Sequence, residues 1–180
     1  MGWFVDDKKQ LVFVHIPKTG GTSVANISRG RPTPLDGEIV HGRHRSFKAI
    51  GKGYKCACFC REPYGRFESI FKYFNGRRFR YWGKRRLPFD AYVRHAVESN
   101  HYFFKPQVWY IAGAKKLFIY RFEDYSNEYK RFLSEWGFPV VDPPHYRKSG
   151  KVEVPWTEEL RGLIYNRYKC DFEFFDYEVV

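Results

Sequence analysis

The chain has 180 residues, with 32 Lys and Arg against 20 Asp and Glu, for a formal net charge of +12 at pH 7. That length suits one well-buried domain and is too short for two comfortable ones, so a single domain over residues 1–180 is expected. The charge calls for an anionic partner (nucleotide, acidic polysaccharide, nucleic acid or membrane surface), and no apolar run is long enough to cross a bilayer.

In chain order, the first residues, Met1-Gly2-Trp3-Phe4-Val5-Asp6-Asp7, lack the basic-then-apolar pattern of a secretory leader, so a cytoplasmic location is expected. Residues 11–16, LVFVHI, read as a buried strand, and Lys18-Thr19-Gly20-Gly21-Thr22-Ser23 as the turn after it, with a helix from Ser23 to Arg29. Residues 54–60 form a second buried strand, followed at once by Arg61-Glu62-Pro63. Pro63 suits the first turn of a helix. Phe67, Ile70, Phe71 and Phe74 recur at i, i+3, i+4 and i+7 along that helix.

Residues 117–120 predict a third strand. After it, apolar residues recur at Tyr125, Tyr129, Phe132, Leu133 and Trp136 up to Gly137, a suitable residue to close a helix. A last helix is expected from Thr157 as N-cap, with Glu158 and Glu159 in its first turn and a stripe of Leu160, Leu163, Ile164 and Tyr168. Buried strands alternating with amphipathic helices predict an α/β fold with a parallel sheet flanked by helices. Cys56, Cys58 and Cys60 alternate on one face of the second strand, and buried free thiols are expected rather than a metal or redox centre.

A glycine-rich turn between a buried strand and a helix is suited to phosphate, because backbone N–H groups converge there and glycines let an anion approach. Lys18 adds a full charge, and Thr22 and Ser23 add hydroxyl donors. A nucleoside-triphosphate loop reads G-x-x-x-x-G-K-[ST], with lysine after the glycines. Here lysine precedes them, in Pro17-Lys18-Thr19-Gly20-Gly21-Thr22-Ser23, which argues against an ordinary ATPase or GTPase.

Val14-His15-Ile16-Pro17-Lys18-Thr19-Gly20-Gly21-Thr22-Ser23 resembles the 5′-phosphosulfate loop of sulfotransferases that use 3′-phosphoadenosine 5′-phosphosulfate (PAPS). It is most similar to the carbohydrate group that includes heparan sulfate 2-O-sulfotransferases and their bacterial relatives. Cys60-Arg61-Glu62-Pro63-Tyr64-Gly65-Arg66-Phe67-Glu68-Ser69 resembles the same family's R-x-P-x-x-R-x-x-S element, which holds the 3′-phosphate. The resemblance implies a P-loop-NTPase-like fold, PAPS as donor, and no metal. It places Lys18, Thr19, Gly20, Gly21, Thr22, Ser23, Arg61 and Ser69 in the nucleotide site. An arginine where a strand ends can grip phosphate oxygens bidentately. Arg66 shares the face of Ser69 and either assists or braces the loop.

For catalysis the resemblance assigns Lys18 to the leaving phosphate oxygen and a histidine to the acceptor hydroxyl. His41-Gly42-Arg43-His44-Arg45-Ser46-Phe47 is similar to the family's histidine segment; His44 aligns better, and His41 is the alternative base or an acceptor-orienting group. Imidazole titrates near neutrality, which suits that task. His15, which precedes the loop on the strand, is expected to be a core residue or one that stands behind the groups touching the ligand. His101-Tyr102-Phe103-Phe104-Lys105-Pro106-Gln107 resembles the segment in which a P-Q pair leads into a helix. From His145-Tyr146-Arg147-Lys148-Ser149 to Asp171-Phe172 the chain is similar to the family's closing pattern, making Lys148 and Ser149 nucleotide contacts, although Arg147 stands where asparagine is common.

Arg77-Arg78-Phe79-Arg80-Tyr81-Trp82-Gly83-Lys84-Arg85-Arg86 is the most basic stretch, readable as a solvated loop, a base-stacking surface or a place to recognise an anionic glycan. Three readings stand: a PAPS-dependent sulfotransferase acting on a hydroxyl-bearing acceptor; an ATP- and magnesium-dependent kinase; and a nucleic-acid- or polyanion-binding module built on residues 77–86. The motifs favour the first and make nucleic acid the less expected partner. Golgi carbohydrate sulfotransferases usually carry a membrane anchor and a larger lumenal domain, from which this sequence departs.

Overall fold

The computed structural model describes residues 3–27, 46–49, 53–75, 87–144 and 154–179. The elements run β1 (Trp3–Asp6), β2 (Leu11–Val14), α1 (Gly21–Ile27), β3 (Lys55–Cys60), α2 (Pro63–Asn75), α3 (Phe89–Glu98), α4 (Gln107–Ile111), β4 (Leu117–Arg121), α5 (Tyr125–Glu135) and α6 (Glu158–Phe175). Contacts divide them into two compact units: one of residues 1–61 and 107–146, the other of residues 62–106 and 147–180.

The first unit is a four-stranded sheet in the order β1-β2-β3-β4. β2, β3 and β4 are parallel, but β1 pairs antiparallel to β2, with Trp3 opposite Val14 and Asp6 opposite Leu11. The sheet is therefore mixed, not wholly parallel as the strand pattern predicts. The reason is local. Only four residues separate β1 from β2, enough for a tight hairpin and far too few for the crossover that parallel strands need. The Asp6 carboxylate accepts the Lys9 N–H at 3.0 Å, and Gln10 turns the corner at φ 51°.

On one face of the sheet, α5 packs Tyr129, Phe132, Leu133 and Trp136 against Leu11, Phe13, Ala57, Phe59 and Tyr120. Two residues past the end of α5, Gly137 takes a φ of 65°, one that glycine adopts without strain. Cys56, Cys58 and Cys60 lie fully buried along β3, offset by one residue from the Ala57 and Phe59 side chains. Burial pushes the Cys56 thiol up to about 12 and Cys58 well above its ordinary value, so these sulfurs stay protonated.

The second unit is helical. Phe67, Ile70, Phe71 and Phe74 of α2 pack with Phe89, Tyr92, Val93 and Ala96 of α3 and with Leu160, Ile164, Tyr168 and Phe172 of α6. The Thr157 side chain accepts the Leu160 N–H at 3.2 Å, capping α6 as its sequence predicts. α6 bends at Tyr168, whose φ and ψ of −114° and 17° are non-helical, and the Tyr168 hydroxyl donates to the Phe104 carbonyl at 3.1 Å. Among the described residues no helix is long and apolar enough to cross a membrane.

Candidate functional site

The turn after β2 is built largely by its own backbone. Ile16 N–H donates to the Val14 carbonyl at 3.2 Å, the Thr19 hydroxyl to the Ile16 carbonyl at 3.0 Å, and Ser23 N–H to the Gly20 carbonyl at 3.1 Å. Lys18 and Gly20 both take positive φ, 70° and 85°. That conformation comes readily to glycine and is uncommon for lysine, so the surroundings must hold Lys18 in place. Thr19 is buried, and its hydroxyl serves the turn itself. Thr22 is half-buried, and α1 starts at Gly21, two residues earlier than the sequence pattern predicts.

Two aromatic residues from the β4–α5 junction cover this turn. The Tyr125 hydroxyl donates to the Gly20 carbonyl at 2.8 Å, and the Ser23 hydroxyl hydrogen-bonds the same phenol. Ser23 is therefore engaged with Tyr125 rather than projecting as a solvated donor. Desolvation pushes the Tyr125 phenol up to about 12, against a smaller downward pull from the Ser23 bond. Both glycines are sterically fixed: a Cβ on Gly20 would stand 2.5 Å from Tyr125 Cε2, and one on Gly21 2.4 Å from His15 Cδ2. His15 is buried, as expected for a core residue.

Arg61 follows the C-terminal end of β3, the parallel neighbour of β2. Its backbone is held on both sides by the buried Gln107: Arg61 N–H donates to Gln107 Oε1 at 3.0 Å, and Gln107 Nε2 donates to the Arg61 carbonyl at 2.7 Å. Its guanidinium lies over the Phe122 ring, 4.4 Å from the centroid, and Nη1 approaches the Lys18 carbonyl at 3.5 Å, the long limit of a hydrogen bond. The sheet thus brings Arg61 against the Lys18 turn, 43 residues away in sequence. Two cationic side chains and a run of loop N–H groups at the C-terminal ends of adjacent parallel strands can hold an anion.

In the helical unit, Ser69 is buried on α2. Arg66 is 2% exposed; Nη2 donates to the carbonyls of Phe103 and Lys105 at 3.1 and 3.2 Å, and the guanidinium faces the Tyr168 ring at 5.9 Å. Of the two roles the sequence leaves open for Arg66, bracing a loop matches these bonds. His41, His44, residues 77–86, His145, Lys148 and Ser149 lie outside the described residues. Among the described residues no group of His, Cys, Asp and Glu side chains could hold a metal ion.

Phe122 and Tyr125 are the contacts that sequence reasoning misses. They lie roughly a hundred residues from the turn they cover, and Tyr125 reads as one more apolar position of α5. Gln107 carried a signal, the P-Q pair ahead of a helix, which does not reveal the Arg61 backbone as its partner. No protein-family model, curated protein or solved structure matches the chain.

Proposed function

We propose that this chain is a PAPS-dependent sulfotransferase that moves a sulfuryl group onto a hydroxyl of a carbohydrate or small-molecule acceptor, on a P-loop-NTPase-like scaffold. The observation that carries the reading is the approach of the Arg61 guanidinium to the Lys18 turn, which joins the two sequence elements that resemble nucleotide-binding motifs. Gly20 and Gly21 offer backbone donors without side chains, and Lys18 adds a positive charge to them, while Arg61 is left for the 3′-phosphate. These groups fit a phosphosulfate.

In this reading, Lys18 and the loop N–H groups neutralise charge on the 5′-phosphate oxygen as its bond to sulfur breaks. His44, or His41 in its place, takes the proton of the acceptor hydroxyl as the acceptor oxygen bonds to sulfur. The nucleotide leaves as adenosine 3′,5′-bisphosphate. Arg61 grips the 3′-phosphate, with Ser69, Lys148 and Ser149 as the further nucleotide contacts the resemblance assigns. The basic stretch at residues 77–86 is assigned to an anionic glycan acceptor.

The test is transfer itself. The protein is incubated with PAPS labelled in the sulfuryl group and a panel of glycan and small-molecule hydroxyls, and label on the acceptor is read against bisphosphate released. The reading predicts equal amounts of both, without added magnesium, and loss of transfer in Lys18→Ala and His44→Ala. Phosphoryl transfer from ATP–Mg²⁺ with none from PAPS would replace it with the kinase reading.

A further inference from the structure

We propose that Tyr125 is a positioning residue of the anion-binding turn, setting the Gly20–Gly21 peptide so that it presents an N–H and not a carbonyl to the 5′-group. This inference rests on the nucleotide reading above. In a planar trans peptide the carbonyl and the following N–H point in opposite directions. The Gly20 carbonyl accepts from Tyr125 Oη at 2.8 Å and from Ser23 N–H of α1 at 3.1 Å, which engages both of its lone pairs. The Gly21 N–H therefore points the other way, away from Tyr125.

A peptide between two glycines turns over easily, because neither residue has a Cβ to resist it. Turning over would replace a donor facing the anion with a carbonyl oxygen, exchanging attraction for repulsion. Tyr125 opposes this through its hydroxyl, and its ring packs so closely on Gly20 that only glycine fits beneath it. The ring is itself held between Phe59, Phe122 and Tyr129 at centroid distances of 5.2, 5.3 and 5.7 Å. Phe122, three residues earlier, carries the Arg61 guanidinium. One junction thus orients groups in both motif elements.

The experiment is calorimetric titration of wild type, Tyr125→Phe and, as a control that loses a buried phenol hydroxyl elsewhere in the same unit, Tyr120→Phe. Each is titrated with adenosine 3′,5′-bisphosphate and with adenosine 3′-monophosphate. Tyr125→Phe keeps the ring and loses only the hydroxyl. The expected result is about tenfold weaker binding of the bisphosphate, an unchanged Kd for the 3′-monophosphate within about twofold, and no change in that ratio in Tyr120→Phe. Equal losses for both nucleotides, or no loss for either while wild type binds both, overturn the role of Tyr125 alone. Wild type that binds neither nucleotide overturns the nucleotide reading and this inference with it.

Discussion

Gln107 holds the backbone of Arg61 as a neighbouring strand would, accepting its N–H at 3.0 Å and donating to its carbonyl at 2.7 Å. Arg61 sits just past β3, where ladder bonds end and a buried backbone group needs another partner. Gln107 is fully buried, so removing its amide takes these two bonds from the Arg61 backbone at a site closed to water. Gln107→Leu is expected to cost about 2–4 kcal/mol in urea unfolding. Gln107→Glu is expected to destabilise as well, since a carboxylate oxygen would face the Arg61 carbonyl. A Gln107→Leu midpoint equal to wild type would contradict this.

Gly21 and His15 form a second testable pair. A methyl on Gly21 collides with the imidazole, although alanine in a helix is ordinarily about 1 kcal/mol better than glycine. Gly21→Ala should therefore destabilise the wild type, yet become neutral or stabilising in a His15→Ala background. A double-mutant cycle of urea midpoints reads the coupling, expected at about 1 kcal/mol or more. Simple additivity would remove the contact from the account.

Alkali should unfold the protein early. Burial holds Tyr92, Tyr120, Tyr125, Tyr168, Cys56 and Cys58 above their ordinary values of 10.0 for tyrosine and 9.0 for cysteine. Above those values the unfolded chain has lost protons that the folded chain keeps. Their contribution is thus fully present below about pH 9 and declines as pH rises toward 12 and beyond. The urea midpoint is expected to be flat from about pH 7.5 to 8.5 and to fall steadily above about pH 9.5. A flat profile to about pH 11 would show these groups ionising in the fold.

Thiol accessibility separates β3 from α6. Cys170 is exposed, and Cys56, Cys58 and Cys60 are buried. A thiol-reactive chromophore should label one site in the native protein and four in denaturant. Rapid native labelling at β3 would contradict the sheet assignment.

Much of this architecture was legible because it is local. β2 and β3 are short apolar runs, α2, α5 and α6 each carry a helical apolar stripe, and Pro63 and Thr157 start their helices and Gly137 follows α5 as their chemistry predicts. β1 was not legible, because four residues are too short to show alternation and its direction is set by the turn that follows. α3 was not anticipated, although Phe89, Tyr92, Val93 and Ala96 are spaced for one buried face. The turn at Lys18 and the position of Arg61 after a strand were readable from residue types and order. Their bracing by Gln107, Phe122 and Tyr125 was not, because those contacts exist only once the parallel strands have brought distant segments together.

The most direct test is titration of the purified chain with adenosine 3′,5′-bisphosphate, using adenosine 5′-monophosphate and ATP–Mg²⁺ as competitors, in wild type and Arg61→Ala. The account predicts binding that requires the 3′-phosphate and weakens about tenfold to a hundredfold in Arg61→Ala, the loss of a charge-assisted contact. Preference for ATP–Mg²⁺, or equal affinity in the variant, would contradict it.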